Sequence, residues 1–324
     1  MKRIIITGAT GFIGANLTRR LLLQEHDVHI LVRQKHASWR IDSLKPKLNI
    51  HEVDFMDKVA LTSVIGEIKP DWVLHLAVYG AYSWQNNLSI MIQTNILSTI
   101  NLIESCLDVG FGAFINTGTS SEYGFKSNPH KEEDALDPNS FYAVTKASAS
   151  LFCRYVAQSR KANIVTLRLY SAYGPFEDPN RLVPTLILEG LNGSLPKLVS
   201  PEASHDFIYI EDVVDAYLHA AESANQLPGA IYNVGTGKQI YLRDVVEIVR
   251  KTLKIEAEPK WSTMSNRIWD TNAWVADNRK LREGLSWQPR HSFEEGFKKT
   301  LAWFLENPQI IKIYRELLTK QLPR

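Results

Sequence analysis

Apolar residues in the first half of the chain fall into two kinds of pattern: short unbroken runs, and longer stretches where they recur every three or four positions. Residues 2–7 read as a buried strand, followed by a glycine-rich turn and an amphipathic helix to about Leu23. Further strands are predicted at 28–32, 48–53, 71–76, 112–116 and 164–169, with helices at 88–109 and 140–159. Strands that are apolar throughout, rather than alternating, are covered on both faces. Their alternation with helices predicts an α/β fold with a doubly wound parallel sheet. Ligands on such sheets bind beyond the carboxyl ends of the strands. After Tyr173 the pattern becomes less regular, with Gly174-Pro175, Pro179, Pro184, Gly190, Gly193, Pro196 and Pro201 close together. Residues 1–173 are read as a dinucleotide-binding domain carrying the chemistry. Residues 174–324 are read as a smaller mixed α/β substrate lobe, with segments near 205–220 and 230–236 returning to the first domain and Ile208 and Ile231-Tyr232 rejoining its sheet.

Composition narrows the classes. A chain of 324 residues, 44% hydrophobic and 22% charged, is ordinary for a globular protein. A formal net charge of +2 without a long basic run argues against nucleic acid or a membrane surface as the main partner. Cys106 and Cys153 lie in apolar helical patterns and read as small buried hydrophobes, with no disulfide framework or metal-ligand spacing. The apolar start ends at Thr7-Gly8, short of a secretory signal core, and no stretch reaches the length of a membrane span. A cytoplasmic enzyme is expected.

The segment Thr7-Gly8-Ala9-Thr10-Gly11-Phe12-Ile13-Gly14 follows the first strand and opens the first helix. Its glycines let the backbone approach a pyrophosphate, and the helix N-terminus offers unpaired N–H groups, which makes this a Rossmann-type fingerprint. An acidic residue ending the second strand would bind both ribose hydroxyls of NAD(H). Arg33 stands there instead and suits a 2′-phosphate, so NADP(H) is favoured and NAD(H) is the alternative. Asp54, followed by Phe55, is placed to accept from the adenine amine, and Leu76-Ala77-Val78 would line the cofactor.

Tyr142 and Lys146 sit four residues apart on one helical face, where an ammonium would stabilise a phenolate and lower the tyrosine pKa towards neutrality. The preceding strand runs into Thr117-Gly118-Thr119-Ser120-Ser121, a cluster of hydroxyls of which Thr119 is best placed to hold a reacting oxygen. Together with Asn95 and Asp206-Phe207-Ile208-Tyr209-Ile210-Glu211-Asp212-Val213, these motifs resemble the extended short-chain dehydrogenase/reductases. These are the nucleotide-sugar epimerases, dehydratases and ketoreductases, and the resemblance covers essentially the whole chain.

The resemblance implies roles. Tyr142 would be the general acid/base, Lys146 would hold the nicotinamide ribose and tune Tyr142, Thr119 would steady the substrate oxygen, and Asn95 would order the site. Hydride would pass between the nicotinamide and a sugar carbon, commonly C4. Thr117 and Tyr170 are assigned to the cofactor; Tyr79, Ser120, Ser121, Ser171, Arg181, His205, Arg267 and Asp270 to a nucleotide-diphosphate sugar. Similar dehydratases carry Asp-Glu where Ser120-Ser121 stand here, and two serines cannot act as acid and base in an elimination. Dehydration is therefore disfavoured; Arg33 and a likeness to reductases of this kind favour reduction of a nucleotide-linked 4-keto-6-deoxyhexose, with a 4-epimerase or a reductase of a small non-sugar carbonyl as alternatives. His205 departs from the arginine that often precedes Asp-Phe-Ile in the family. The family also implies a homodimer, formed by the Asn95 and Tyr142 helices as a four-helix bundle. Gly235-Thr236-Gly237-Lys238 lacks the upstream glycine of a phosphate loop and reads as a turn, and His75 reads as structural.

Overall fold

The computed structural model describes residues 1–82, 84–126, 128–264 and 274–319. The chain alternates β1 (Arg3–Thr7), α1 (Phe12–Leu23), β2 (Asp27–Val32), β3 (Asn49–Glu52), α2 (Lys58–Ile68), β4 (Trp72–His75), α3 (Leu88–Ile92) and α4 (Ser98–Val109). It continues through β5 (Ala113–Thr119), α5 (Phe141–Arg160), β6 (Ile164–Leu169), β7 (Ser171–Tyr173), α6 (Leu182–Gly190), β8 (Ser204–His205), β9 (Phe207–Tyr209) and α7 (Ile210–Ser223). The last elements are β10 (Ile231–Val234), β11 (Ile240–Tyr241), α8 (Leu242–Leu253), α9 (Arg279–Leu285), α10 (Phe293–Glu306) and α11 (Pro308–Thr319).

Seven strands form one parallel sheet in the order β10-β6-β5-β4-β1-β2-β3. This is the doubly wound Rossmann arrangement extended by one strand. The unbroken isoleucines of β1 show why its pattern does not alternate: Ile4 and Ile6 enter one core and Ile5 the other, and all three are fully buried. Phe114 and Ile115 on β5 divide in the same way. Each face therefore needs its own layer of helices, with α1 and α7 on one side and α2 and α4 on the other.

Three elements differ from the pattern-based expectation. Helix α2, capped by Asp57 accepting from the Ala60 N–H, lies in a stretch for which no element was foreseen. The predicted helix 88–109 is interrupted at Gln93–Leu97 by a π-helical turn, with the Ser98 hydroxyl donating to the Gln93 carbonyl. Ile231–Val234 joins the main sheet beside β6, whereas Ile208 does not: it pairs with β7 in a separate two-stranded ladder. The physical reason is that the chain turns aside after Leu169, where the Tyr170 N–H bonds to Val234 and the Ser171 N–H to Asp206. Among the described residues, no helix is long and apolar enough to cross a membrane.

Candidate active site

The glycine turn is built for close approach. Gly8 has φ +70°, and a Cβ there would stand 2.6 Å from the Leu76 carbonyl carbon, so only glycine lets the turn lie against the end of β4. Gly11 is the N-cap of helix α1, which has no side-chain cap and no acidic residue in its first turn. The N–H groups of Phe12, Ile13 and buried Gly14 thus belong to the uncapped first turn that suits a pyrophosphate. Arg40 braces this turn from behind, its Nε donating to the Phe176 carbonyl at 2.7 Å and its guanidinium facing the Thr10 carbonyl. The residues fit a dinucleotide. Arg33 is exposed at the carboxyl end of β2. Asp54 is also exposed but accepts from the Met56 N–H at 2.9 Å, and the carbonyl of half-buried Phe55 accepts from Asn101.

A chain of hydrogen bonds joins this turn to the catalytic helix. The Thr7 hydroxyl oxygen accepts from the N–H groups of Leu76 and Ala77, both at 3.1 Å, which leaves its proton for His75 Nδ1 at 2.8 Å. Thr99 gives its proton to the Asn95 carbonyl, so His75 Nε2, 2.9 Å from the Thr99 oxygen, must carry a hydrogen. One neutral tautomer satisfies both contacts. Burial, reinforced by the charge on Lys146, pushes the His75 imidazole down to about 3. Asn95 sits in the π turn, accepts from the Tyr79 N–H, and donates to the Tyr79 carbonyl and to Thr145. All three of these bonds fix its amide orientation, and insertion of a π turn at a functional position is a recurrent device. Asn95 thus holds the loop after β4 against the helix carrying Tyr142 and Lys146. Val78 remains exposed there, and Thr117 donates to the His75 carbonyl while accepting from the Tyr217 hydroxyl at 2.5 Å.

At the carboxyl end of β5, the Thr119 side chain lies close enough to the Tyr142 hydroxyl to favour its ionised form. The fold therefore brings together Thr119, Tyr142 and Lys146, the last two on successive turns of α5. The expected acidification of the phenol is not found. Burial outweighs the lowering influence of Thr119 and of the nearby Arg181 charge, and pushes Tyr142 up to about 12. The ammonium of Lys146 is itself lowered by burial, opposed chiefly by Glu122. In this environment the phenol is a proton donor at neutral pH rather than a phenolate.

Arg181 donates to the Ala81 carbonyl at 2.9 Å and lies over the Tyr82 ring, close enough for its charge to act on Tyr142. Ser120 is buried and Ser121 receives a hydrogen bond from Thr119. The Tyr170 side chain is buried: its hydroxyl meets His130 Nδ1 at 2.8 Å inside a cluster with Trp274, and its backbone lies at the end of β6. Tyr173 is likewise buried and donates to the Phe293 carbonyl, whereas Ser171 stays partly exposed. His205, on β8, packs its ring against Phe207 and Trp274. Arg267 and Asp270 lie outside the described residues. The turn at 235–238 is tied down by buried Asp206, whose carboxylate accepts from the N–H groups of Thr236, Gly237 and Ala276.

Glu122, Glu132 and Glu177 are buried acids that escaped the sequence reading. Glu122 has a legible signal, since Thr119-x-x-Glu122 is a capping-box spacing and the structure forms that box. Glu177 has none. It lies among Arg181, Arg40 and Asp178, one of its oxygens has no hydrogen-bond partner, and burial pushes it up to about 8. Folding thus takes up a proton between about pH 4.5 and 8, and stability contributed by the neutral acid is lost as pH rises through that window. Glu177→Gln is expected to remove a slope of up to about 1.36 kcal/mol per pH unit. Urea denaturation of both proteins at several pH values checks this; parallel stability curves would contradict it.

Residues 4–235 match the NAD dependent epimerase/dehydratase family, and the chain belongs to it. It is an enzyme of the extended short-chain dehydrogenase/reductase type. The chain is 29% identical, over 95% of its length, to a trifunctional UDP-glucose 4,6-dehydratase/UDP-4-keto-6-deoxy-D-glucose 3,5-epimerase/UDP-4-keto-L-rhamnose-reductase of Arabidopsis thaliana, of which the match covers 48%. The chain thus spans about half the length of these plant relatives. It is 26% identical to a dTDP-glucose 4,6-dehydratase of Neisseria meningitidis, with 95% of this chain and 94% of that one aligned. Among solved structures, UDP-glucuronic acid 4-epimerase from Bacillus cereus, in complex with UDP-glucuronic acid and NAD, superposes with a TM-score of 0.83 at 26% identity, covering 94% of this chain and 99% of that one.

Proposed function

We propose that the enzyme reduces the 4-keto group of a nucleotide-diphosphate-linked 4-keto-6-deoxyhexose, using NADPH. The observation that carries this reading is the placement of Tyr142, with Lys146 on the next turn of α5, beside Thr119 at the carboxyl end of β5. When bound, the dinucleotide supplies the hydride. As C4 gains it, the phenol donates its proton to the carbonyl oxygen, which the Thr119 hydroxyl also holds, and the C=O becomes a secondary alcohol. Lys146 contributes a buried positive charge one turn along, which offsets the negative charge left on the phenol oxygen.

The same geometry argues against elimination of water. Neither Ser120 nor Ser121 is an acid or base at neutral pH, and the next carboxylate, Glu122, is fully buried and bound by other groups. The polar lobe, with Arg181 beside Tyr142 and with Arg267 and Asp270 as further proposed contacts, favours a phosphorylated substrate over a small non-sugar carbonyl. The exposed apolar side chains of Leu97 on the turn before α4, and of Phe141, Val144, Leu151 and Tyr155 on α5, support a homodimer through a four-helix bundle, which sedimentation of the purified protein reports.

The second reading is a redox-neutral 4-epimerase, favoured by the NAD-bound epimerase that superposes on this chain. Exposed Arg33, suited to a 2′-phosphate, favours the first reading. Purified protein incubated with nucleotide sugars and their 4-keto derivatives is expected to consume NADPH with a 4-keto substrate. Arg33→Ala is expected to raise the KM for NADPH about tenfold or more while barely changing that for NADH, the loss of a charge-assisted phosphate contact. Interconversion of nucleotide sugars without added cofactor would establish the epimerase instead, and equal effects on the two cofactors would remove the 2′-phosphate role.

A further inference from the structure

Beneath the catalytic centre lies a carboxylate that no step of the proposed reaction uses. Glu122 is fully buried, and three structural elements converge on it. Its Oε1 accepts from the Thr119 N–H on β5 and from the Ser150 hydroxyl on α5, both at 2.9 Å. Its Oε2 accepts from Arg168 Nε on β6 at 2.8 Å. Arg168 in turn donates to the Tyr123 hydroxyl, which donates to Asn233 on β10. Ser150 stands one turn beyond Lys146 on the same helical face, so the bond fixes the helix that carries both Lys146 and Tyr142. Space for the carboxylate exists because residue 118 is glycine: a Cβ there would be 2.8 Å from Oε1.

The charges point the same way. Two buried cations, Arg168 and Lys146, flank this region. Cys153 on α5 and Glu122 in the turn after β5 are the titratable acids that act on Lys146, and burial pushes the Cys153 thiol up to about 12, so it is neutral and Glu122 supplies the charge. His75 on β4 faces the ammonium as a neutral ring, and Tyr142 as a neutral phenol.

We propose that Glu122 is a positioning residue for the Thr119–Tyr142–Lys146 centre: its carboxylate sets the Thr119 main chain and supplies the buried negative charge that Lys146 faces. This rests on the assignment of those three residues as the catalytic group. A capping box alone would need only the hydrogen bonds, which a neutral amide side chain also provides. The charge is what distinguishes the positioning role.

The test is Glu122→Gln in the full chain, with turnover measured across pH. kcat is expected to fall on the order of 10- to 100-fold, the size of effect that loss of a charge-assisted contact produces, with KM for the nucleotide sugar little changed. The alkaline limb of the kcat profile is expected to move to lower pH, because an ammonium without its counter-charge gives up its proton sooner. Should the single variant fold poorly, Glu122→Gln combined with Arg168→Met removes both buried charges and keeps the interior neutral; it is expected to show the same displaced limb. An unmoved limb in either folded protein, or wild-type kcat, overturns the proposal. Tyr142→Phe measured alongside separates the two levels: if that variant retained turnover, the catalytic assignment itself would fail.

Discussion

Tyr142→Phe is expected to lower kcat by about 10²- to 10⁴-fold while dinucleotide binding stays close to wild type, the range that loss of a positioned proton donor produces. The substitution removes only the hydroxyl, and Thr119 retains Ser121 as a partner, so the fold should be little affected. The phenol is pushed up to about 12 in the protein, so the donor itself does not titrate away near neutrality. Burial lowers the Lys146 ammonium, so an alkaline limb that persists in the residual turnover of Tyr142→Phe is expected to report Lys146. Stopped-flow measurement of dinucleotide oxidation with a 4-keto substrate, alongside fluorescence titration of the dinucleotide, reads both quantities. Undiminished kcat would remove Tyr142 from the chemistry, and lost dinucleotide binding would reassign it to the cofactor.

The largest effect on stability is expected at Arg168. Its guanidinium pairs with Glu122 in a site from which solvent is excluded at both ends, and it also donates to Tyr123. Arg168→Met removes one partner and strands the other charge in the interior, which typically costs about 3–5 kcal/mol. Adding Glu122→Gln should recover most of that loss, since a neutral interior of similar volume carries no stranded ion. Urea unfolding of the single and double variants checks this; a double variant no more stable than Arg168→Met would mean that packing, and not charge, sets the penalty.

The parts of the molecule that were legible in its sequence are those governed by local periodicity. The isoleucines of β1 announce a strand covered on both faces, and Gly8 to Gly14 with Tyr142 and Lys146 announce a dinucleotide enzyme before any coordinates are seen. What periodicity cannot show is the balance between desolvation and charge. The lysine beside Tyr142 suggested an acidic phenol, yet the surrounding protein decides otherwise, because burial depends on residues remote in sequence. Tyr170 illustrates the same limit: nothing near it in the sequence shows that its hydroxyl meets His130, forty positions earlier. The π turn at Gln93–Leu97 was hidden because one added backbone residue leaves a helical apolar pattern almost intact. Asn95 was named from family likeness, but its three bonds became visible only in the fold.

The sealed row of hydroxyl and imidazole protons from Thr7 to Asn95 has one further consequence. Each proton in it already points at an acceptor, so the row is satisfied by a single arrangement. A second proton on His75 would face the Thr7 oxygen, already taken by two amides, and would leave that hydroxyl's own proton with nowhere to go. Acid near pH 3 should therefore loosen the phosphate-facing turn at Gly8 and the Leu76-Ala77 edge together, so that loss of dinucleotide affinity precedes collapse of the sheet.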